Sequence, residues 1–291
     1  MENQIQKINC LLCGSHTIAQ WGIKNMYTLY QCVSCKLVFV YPLPDSTSVY
    51  TEDYFAGANQ GFGYVDYDTD KEPMRPVFEK YLDMCGQYGV TGGSLFDVGA
   101  ATGFFLILAR ARGFTVSGVE MSQFATQVAQ KKGLAVSVGD MLSQHIPHNT
   151  HDVVTMFDVI EHMTQPFEEI NEVYRILKPG GLVVVNTPNG QSLLARLLKT
   201  SWHLVVPPEH LFYFSPQNLS EYLSRHGFTV LYVGTVSKHF TFSYIFKTLY
   251  KWQKIELWNH IAEYFIRAHP HWSIPINLYD NFLLIARKNS V

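Results

Sequence analysis

The sequence predicts an α/β protein built on a mostly parallel, doubly wound sheet, with a small metal-binding knuckle in front of it. Three observations carry this. Beyond Gly92-Gly93, the apolar runs SLFDVG, TVSGVE, AVSVGD, DVVTMFD and LVVVNTP alternate with helix-periodic segments such as FFLILARARG and FEEINEVYRILKPGG, and strands that alternate with helices pair in parallel. Four of the five cysteines stand in two C-x-x-C pairs near the N-terminus. The 291 residues, 47% hydrophobic and 16% charged, can bury one large core plus an appendage.

Residues 1–41 form the knuckle. Cys10-x-x-Cys13 and Cys32-x-x-Cys35 are separated by eighteen residues, inside the spacing of a four-thiolate zinc site. Gly14 and Lys36 follow the two pairs, in turns whose N–H groups are expected to reach sulfur. Four thiolates leave no position for water, so the expected ion is structural, and a segment this short needs it in order to fold. Tyr41-Pro42-Leu43-Pro44 ends the unit, because proline breaks a continuing element.

Residues 42–90 read as a connector and N-terminal helices. A Tyr- and Gly-containing stretch, YFAGANQGFGYVDYD, precedes a helix from about Met74 to Tyr88 that places Val77, Phe78, Tyr81, Leu82 and Cys85 on one face. Cys85 there is a core residue. The main domain occupies residues 91–291. In its later part Ser215-Pro216 starts a helix, Gly227 ends it, and FTVLYVGTV follows. A strand at about Tyr279 to Arg287 brings the sheet to seven.

Between these last two strands, at about 237–276, lies an aromatic-rich insertion far longer than an ordinary connection, read as a cap. Phe242, Ile245, Phe246, Leu249, Trp252, Ile255 and Ile261 recur at helical spacing, with Lys247, Lys251 and Lys254 on another face. Such a basic amphipathic helix packs on the core or a second subunit in the common case and meets a membrane or lipid-like acceptor in the other.

Net charge −2 provides no general field for a phosphate backbone, and only Lys7, Lys24 and Lys36 precede Tyr41, so nucleic acid is disfavoured as a partner. The N-terminus carries no apolar stretch behind a positive segment, and no run reaches the length of a membrane span. With cysteines suited to thiolate chemistry in a reducing compartment, the expected location is the cytoplasm. Oligomeric state is not readable.

LFDVGAATGFF, residues 95–105, is an apolar strand entering a Gly99-x-x-x-Gly103 turn that opens a helix, which exposes backbone N–H groups to a cofactor. Glu120 ends the next strand, where a carboxylate can accept both hydroxyls of a ribose. Asp140 ends the strand after that and can receive the exocyclic amine of an adenine. The plain alternative is that such an acid caps a helix. An NAD-dependent dehydrogenase wants a similar turn, but residues 99–103 read G-A-A-T-G rather than G-x-G-x-x-G, and Phe104-Phe105 suits a cofactor without phosphates there.

On these motifs the chain resembles the class I S-adenosylmethionine-dependent methyltransferases, over roughly residues 91–235 plus the last strand, which implies their Rossmann-like seven-stranded sheet. Asp97, Gly99 and Gly103 match the family's glycine motif, Glu120 its ribose acid, Asp140 its adenine-site acid and LKPGG, 177–181, its turn before the fifth strand. The resemblance also assigns Met121, Met141 and Phe157 to the cofactor site. Ala101 departs from it, standing where a second glycine is usual. Binding of S-adenosylmethionine is expected to survive this small methyl group.

Asp158-Val159-Ile160-Glu161-His162 follows the fourth strand, beside the expected methyl group. A neutral histidine can take the proton of an attacking hydroxyl during the in-line displacement, so His162 is the preferred base with Glu161 beside it. The D-x-x-E-H arrangement is similar to that of quinone-pathway O-methyltransferases, which implies a divalent ion at Asp158, Glu161 and His162. The alternative is structural: His162 fixes a loop and Glu161 caps the helix from Thr164. In PPEHLFYFSP, 207–216, His210 is a second catalytic candidate, in a wall of the acceptor pocket or fixed in a loop. Trp202, Phe212 and Tyr213 are either core residues or stacking surfaces.

The reading is therefore methyl transfer, O-methylation first, to a small or medium-sized acceptor: natural product, sugar, quinone or lipid-like. An RNA methyltransferase and a non-catalytic scaffold are the alternatives.

Overall fold

The computed structural model describes residues 8–44, 67–235, 237–269 and 272–290. The connector YFAGANQGFGYVDYD lies outside them except for Tyr67 and Asp68. The elements in chain order are β1 Ile18–Lys24, β2 Tyr27–Cys32, β3 Val38–Val40, α1 Tyr67–Lys71, α2 Arg75–Gln87, β4 Gly93–Val98, α3 Phe104–Ala111, β5 Phe114–Glu120, α4 Gln123–Lys131 and β6 Ala135–Val138. There follow β7 His151–Phe157, α5 Pro166–Ile176, β8 Leu177–Pro188, α6 Leu193–Leu198, β9 Phe212–Tyr213, α7 Pro216–Arg225, β10 Phe228–Thr235, β11 Lys238–Thr241, α8 Phe242–Gln253, α9 Glu256–Ala268, β12 Ser273–Ile276 and β13 Asn281–Lys288.

The seven-stranded sheet runs β10-β13-β8-β7-β4-β5-β6. The five strands from β8 to β6 are parallel, and β13 is antiparallel to both of its neighbours. Alternate residues go to opposite faces, as the period-2 pleat requires. Phe96, Val98, Val154, Met156, Val183 and Val185 enter one core, which also holds Leu37 and Phe39 of the knuckle. Leu95, Val153, Leu182 and Val184 enter the other, covered by α2 and α3. The expected face of α2 is buried, and Cys85 among it has its thiol pushed up to about 12 by that burial.

The strand order reverses between β4 and β7, which opens a crevice at their C-terminal ends. Local signals set the helices around it. Ser122 Oγ accepts from Ala125 N at the start of α4, and Ser215 with Asn218 forms a reciprocal cap at the start of α7. LKPGG follows directly on α5, whose C-cap is Leu177, and is not a separate turn ahead of the strand. It lies inside β8 as a bulge, since His151 pairs with Leu177 and Val153 already pairs with Leu182.

A second sheet, β1-β2-β3-β9, contains the knuckle strands and one strand contributed from far downstream. The insertion is a two-stranded base, β11 and β12, that carries α8 and α9. The single amphipathic helix expected across Phe242–Ile261 is two helices. Lys254 adopts φ 55° and ends α8, and Ile255 becomes the N-cap of α9. Stacked rings join the pair, with Phe265 at 5.1 Å from Phe242 and 5.8 Å from Phe246. Among the described residues no helix is long and apolar enough to cross a membrane.

Candidate active site and metal knuckle

A cleft of about 500 Å³ opens at the crevice. Of the residues expected to hold the cofactor, Gly99, Ala101, Glu120, Met121, Asp140, Met141 and Phe157 line it, and so do Glu161, His162 and His210. Asp97 and Gly103 stand behind the wall. Asp97 is buried under the glycine turn, accepts from Thr155 Oγ1 at 2.5 Å, and has its carboxyl pushed up to about 7 by burial. Gly103 turns the chain into α3 at φ 83°, and a Cβ there would collide with Leu134.

Glu120 is buried and prepared for a polar ligand. Its Oε2 accepts from Ala101 N at 2.9 Å and its Oε1 from Ser122 N at 2.8 Å. A carboxylate has about four acceptor positions, so two remain for a diol. Burial raises its pKa and the backbone N–H groups oppose this. Asp140 does both things considered for it: it lines the cleft, and its Oδ1 caps the turn at Ser143 N at 2.9 Å. Ala101 adopts φ 48°, the left-handed conformation in which a glycine would be at ease.

At the other end of the cleft two imidazoles converge, their ring centres 4.6 Å apart and nearly perpendicular. His162 Nδ1 lies 2.9 Å from Glu209 O and His210 Nδ1 2.8 Å from Leu204 O. A carbonyl oxygen only accepts, so each Nδ1 carries the proton and each Nε2 keeps its lone pair. Burial lowers both rings, His162 to about 4 and His210 well below the ordinary value, so both are neutral at pH 7. Glu161 lies beneath them with its Oε2 accepting from Thr187 Oγ1 at 2.8 Å, and burial raises its carboxyl to about 8. It does not cap α5, whose N-cap is Gln165.

One nitrogen from each ring and one oxygen of Glu161 lie within 4.8 Å of one another, a donor set that fits a divalent ion. Asp158 is not part of it, unlike the expected trio. At φ 51° it turns to Lys238 Nζ, 3.3 Å from both of its oxygens, and to Asn186 Nδ2 at 3.0 Å. Burial works to raise Asp158, but Lys238 and Lys71 hold it below the ordinary range. Lys238 belongs to the cap, so the insertion reaches the cleft. Sequence reasoning also missed Leu204 and Glu169, which line the cleft from separate segments; Glu169 is raised to about 8 by burial. Trp202, Phe212 and Tyr213 are core, all fully buried.

The four knuckle sulfurs lie within 4.8 Å of one another. Cys10 Sγ is 3.5 Å from Cys35 Sγ and Cys13 Sγ 3.6 Å from Cys32 Sγ. Zinc–sulfur bonds of 2.3 Å make a tetrahedral edge of about 3.8 Å, so the set fits zinc. A hydrogen bond to sulfur of the expected kind comes from Cys35 N, in the turn of the second pair, which donates to Cys32 Sγ at 3.5 Å. Gly14 N and Lys36 N donate to the carbonyls of Cys10 and Cys32 in turns with positive φ.

The fold and cleft define a class. A family model described as a methyltransferase domain matches residues 71–233, more than half of the chain, which therefore belongs to that family. Its relatives include a ubiquinone biosynthesis O-methyltransferase of Pseudomonas fluorescens, 27% identical over 197 residues that cover 60% of this chain and 84% of the relative. The one of Pseudomonas savastanoi pv. phaseolicola is 29% identical over 135 residues, 43% of this chain and 57% of the relative, so the chain spans little more than half of that protein. Among solved structures, magnesium protoporphyrin IX methyltransferase from Synechocystis PCC 6803 with bound SAH superposes with a TM-score of 0.53 at 15% identity, over 84% of this chain and all of that one. A possible histamine N-methyltransferase from Thermotoga maritima gives 0.51 at 21% identity, over 77% of this chain and 94% of that one. At these identities the superpositions establish the shared fold.

Proposed function

We propose that the chain transfers the methyl group of S-adenosylmethionine to a hydroxyl oxygen of a small acceptor with adjacent ring oxygens, a catechol or quinone precursor. The observation that carries this is the pair of neutral imidazoles with Glu161 at the end of the cleft opposite Glu120. Glu120 and Asp140 hold the ribose and adenine, which leaves the sulfonium methyl directed toward His162 and His210. The acceptor oxygen attacks the methyl carbon, the carbon–sulfur bond breaks, sulfur keeps the electron pair as a thioether, and His162 Nε2 receives the hydroxyl proton. Glu209 O keeps His162 in the tautomer that leaves Nε2 able to accept. His210 forms the second wall of the acceptor site. A divalent ion held by Glu161, His162 and His210 would occupy the same Nε2 lone pairs, so it would act in place of the His162 base by lowering the pKa of the acceptor hydroxyl.

The names of the quinone-pathway relatives support an oxygen acceptor. The knuckle is read as a structural zinc site, and its reduced thiols suit the cytoplasm. The test is incubation of zinc-loaded protein with S-adenosylmethionine and a catechol, product read by mass spectrometry. A monomethyl ether is expected. His162→Gln should lower kcat by about 10²- to 10⁴-fold with cofactor affinity retained. Methylation of an imidazole acceptor but no catechol would overturn the oxygen assignment.

A further inference from the structure

The knuckle shares a sheet with the segment that carries His210. β9 begins two residues after that histidine, and its pairing partner is β3, with Val38 opposite Tyr213 and Phe39 opposite Phe212. At the edge of the four-stranded sheet β9 has no other partner strand among the described residues. Further bonds extend the connection on both sides. Val40 N donates to Leu211 O at 2.9 Å, and Leu211 N donates to Glu161 O at 2.8 Å. Asn25 Nδ2, in the β1–β2 turn, donates to Pro207 O at 2.8 Å. Asn218 Nδ2 reaches Cys35 O at 3.2 Å and Gln191 Nε2 reaches Lys36 O at 3.0 Å. Leu29, Val38 and Val40 pack in one buried cluster with Trp202, Val205 and Tyr213.

The thiolate positions bracket this connection. Cys32 ends β2, and Cys35 precedes β3 by three residues, so the turn that aims β3 is the one closed by the sulfur site. The loop that leans on β3 supplies Glu209 O to orient His162 and Leu204 O to orient His210. The cofactor end of the cleft is built from β4, β5, β6 and their following turns, which among the described residues have no strand pairing with the knuckle and meet it through the shared core of Leu37 and Phe39 with Phe96, Val98 and Met141.

We propose that the zinc knuckle is a positioning element for the acceptor half of the cleft: a four-thiolate ion fixes β3, β3 fixes β9 and the 203–214 loop, and that loop fixes the two imidazoles. Asn25 and the β3 backbone are positioning groups acting through His210. This rests on the proposed acceptor role of that histidine, yet its test needs no methyl transfer.

Full-length, zinc-reconstituted protein is compared before and after chelation, with metal content measured. Three readouts are taken: hydrogen exchange of peptides spanning 203–214 and 95–105, SAH binding by calorimetry, and the tautomer of ¹⁵N-labelled His210, assigned with His210→Gln. On metal loss, exchange at 203–214 should rise at least tenfold and the His210 Nδ1–H tautomer should give way to a mixture. Exchange at 95–105 should hold, and SAH affinity should stay within about threefold. Protection of 203–214 and an unchanged tautomer after metal loss would overturn the proposal. If chelation unfolds the chain, Asn25→Gly decides: it keeps the left-handed turn at φ 48° and the zinc but cuts the tie to Pro207. Faster exchange at 203–214 in that variant, with zinc retained, supports the proposal, and wild-type exchange refutes it. Failure of catechol methylation with these shifts present would count against the proposed reaction alone.

Discussion

Replacing Glu120 with alanine removes the acceptor at the centre of the cofactor end while leaving the sheet in place. Two of the carboxylate's four acceptor positions are taken by Ala101 N and Ser122 N, so the variant loses the two left for ribose hydroxyls. Hydrogen bonds to a charged acceptor contribute about 1.5–3 kcal/mol each. At the lower figure, two lost bonds amount to about 3 kcal/mol, or roughly 150-fold in Kd. Calorimetric titration with S-adenosylmethionine and SAH reads this directly, and a thermal melt of the free protein controls for the two N–H groups left without their partner. Glu120→Gln keeps one acceptor oxygen and should lie between wild type and alanine. A change under fivefold in Glu120→Ala, with the melt intact, would mean that the ribose is held elsewhere and that Glu120 only braces the glycine turn.

Asp97 makes the free protein's stability pH-dependent. Its folded pKa of about 7 lies above the ordinary 3.8, so between those values the folded state binds the extra proton and stability falls as pH rises; the loss is complete above pH 7. Asp97→Asn removes that loss, so its gain over wild type in thermal unfolding should grow from pH 4 to 7, plateau above, and reach about 4 kcal/mol at most; a pH-independent difference would refute it. Gly103→Ala combines φ 83° with a collision against Leu134 and should cost about 2–3 kcal/mol in denaturant unfolding, whereas Ala101→Gly should alter cofactor affinity less than threefold. Lys238→Met leaves Asp158 without its cap partner and should cost about 1–2 kcal/mol. Adding Asp158→Asn should restore most of that, and strict additivity in the double-mutant cycle would show that the pair is uncoupled.

The sheet was legible because strand and helix periods differ, and seven runs carried them clearly. The glycine turn and its acids were legible because their chemistry depends on positions next to strand ends, which short-range sequence encodes. What stayed hidden was set by long-range contacts. Asp158 looked like a third ligand beside Glu161 and His162, but it is claimed by Lys238, eighty residues away. Nothing in VFV or LFYF announces that β3 and β9 pair, since either stretch could equally be an interior run. The amphipathic period through Phe242 and Ile261 was real, yet it did not reveal the break at Lys254, where a lysine takes a conformation more often left to glycine or asparagine.

The insertion enters and leaves the main sheet at almost one point. Thr235 of β10 pairs with Phe282 of β13, and a few residues outward Lys238 of β11 pairs with Ile276 of β12. A segment whose two ends already meet can be lengthened, shortened or exchanged at little conformational cost, because the strands beneath it would close with a simple turn. The insertion and the sheet beneath it are therefore separable inheritances. A lineage carrying this fold can trade the segment that brings Lys238 to the cleft, while the strand ends that carry the glycine turn, Glu120 and Asp140 pass on unaltered.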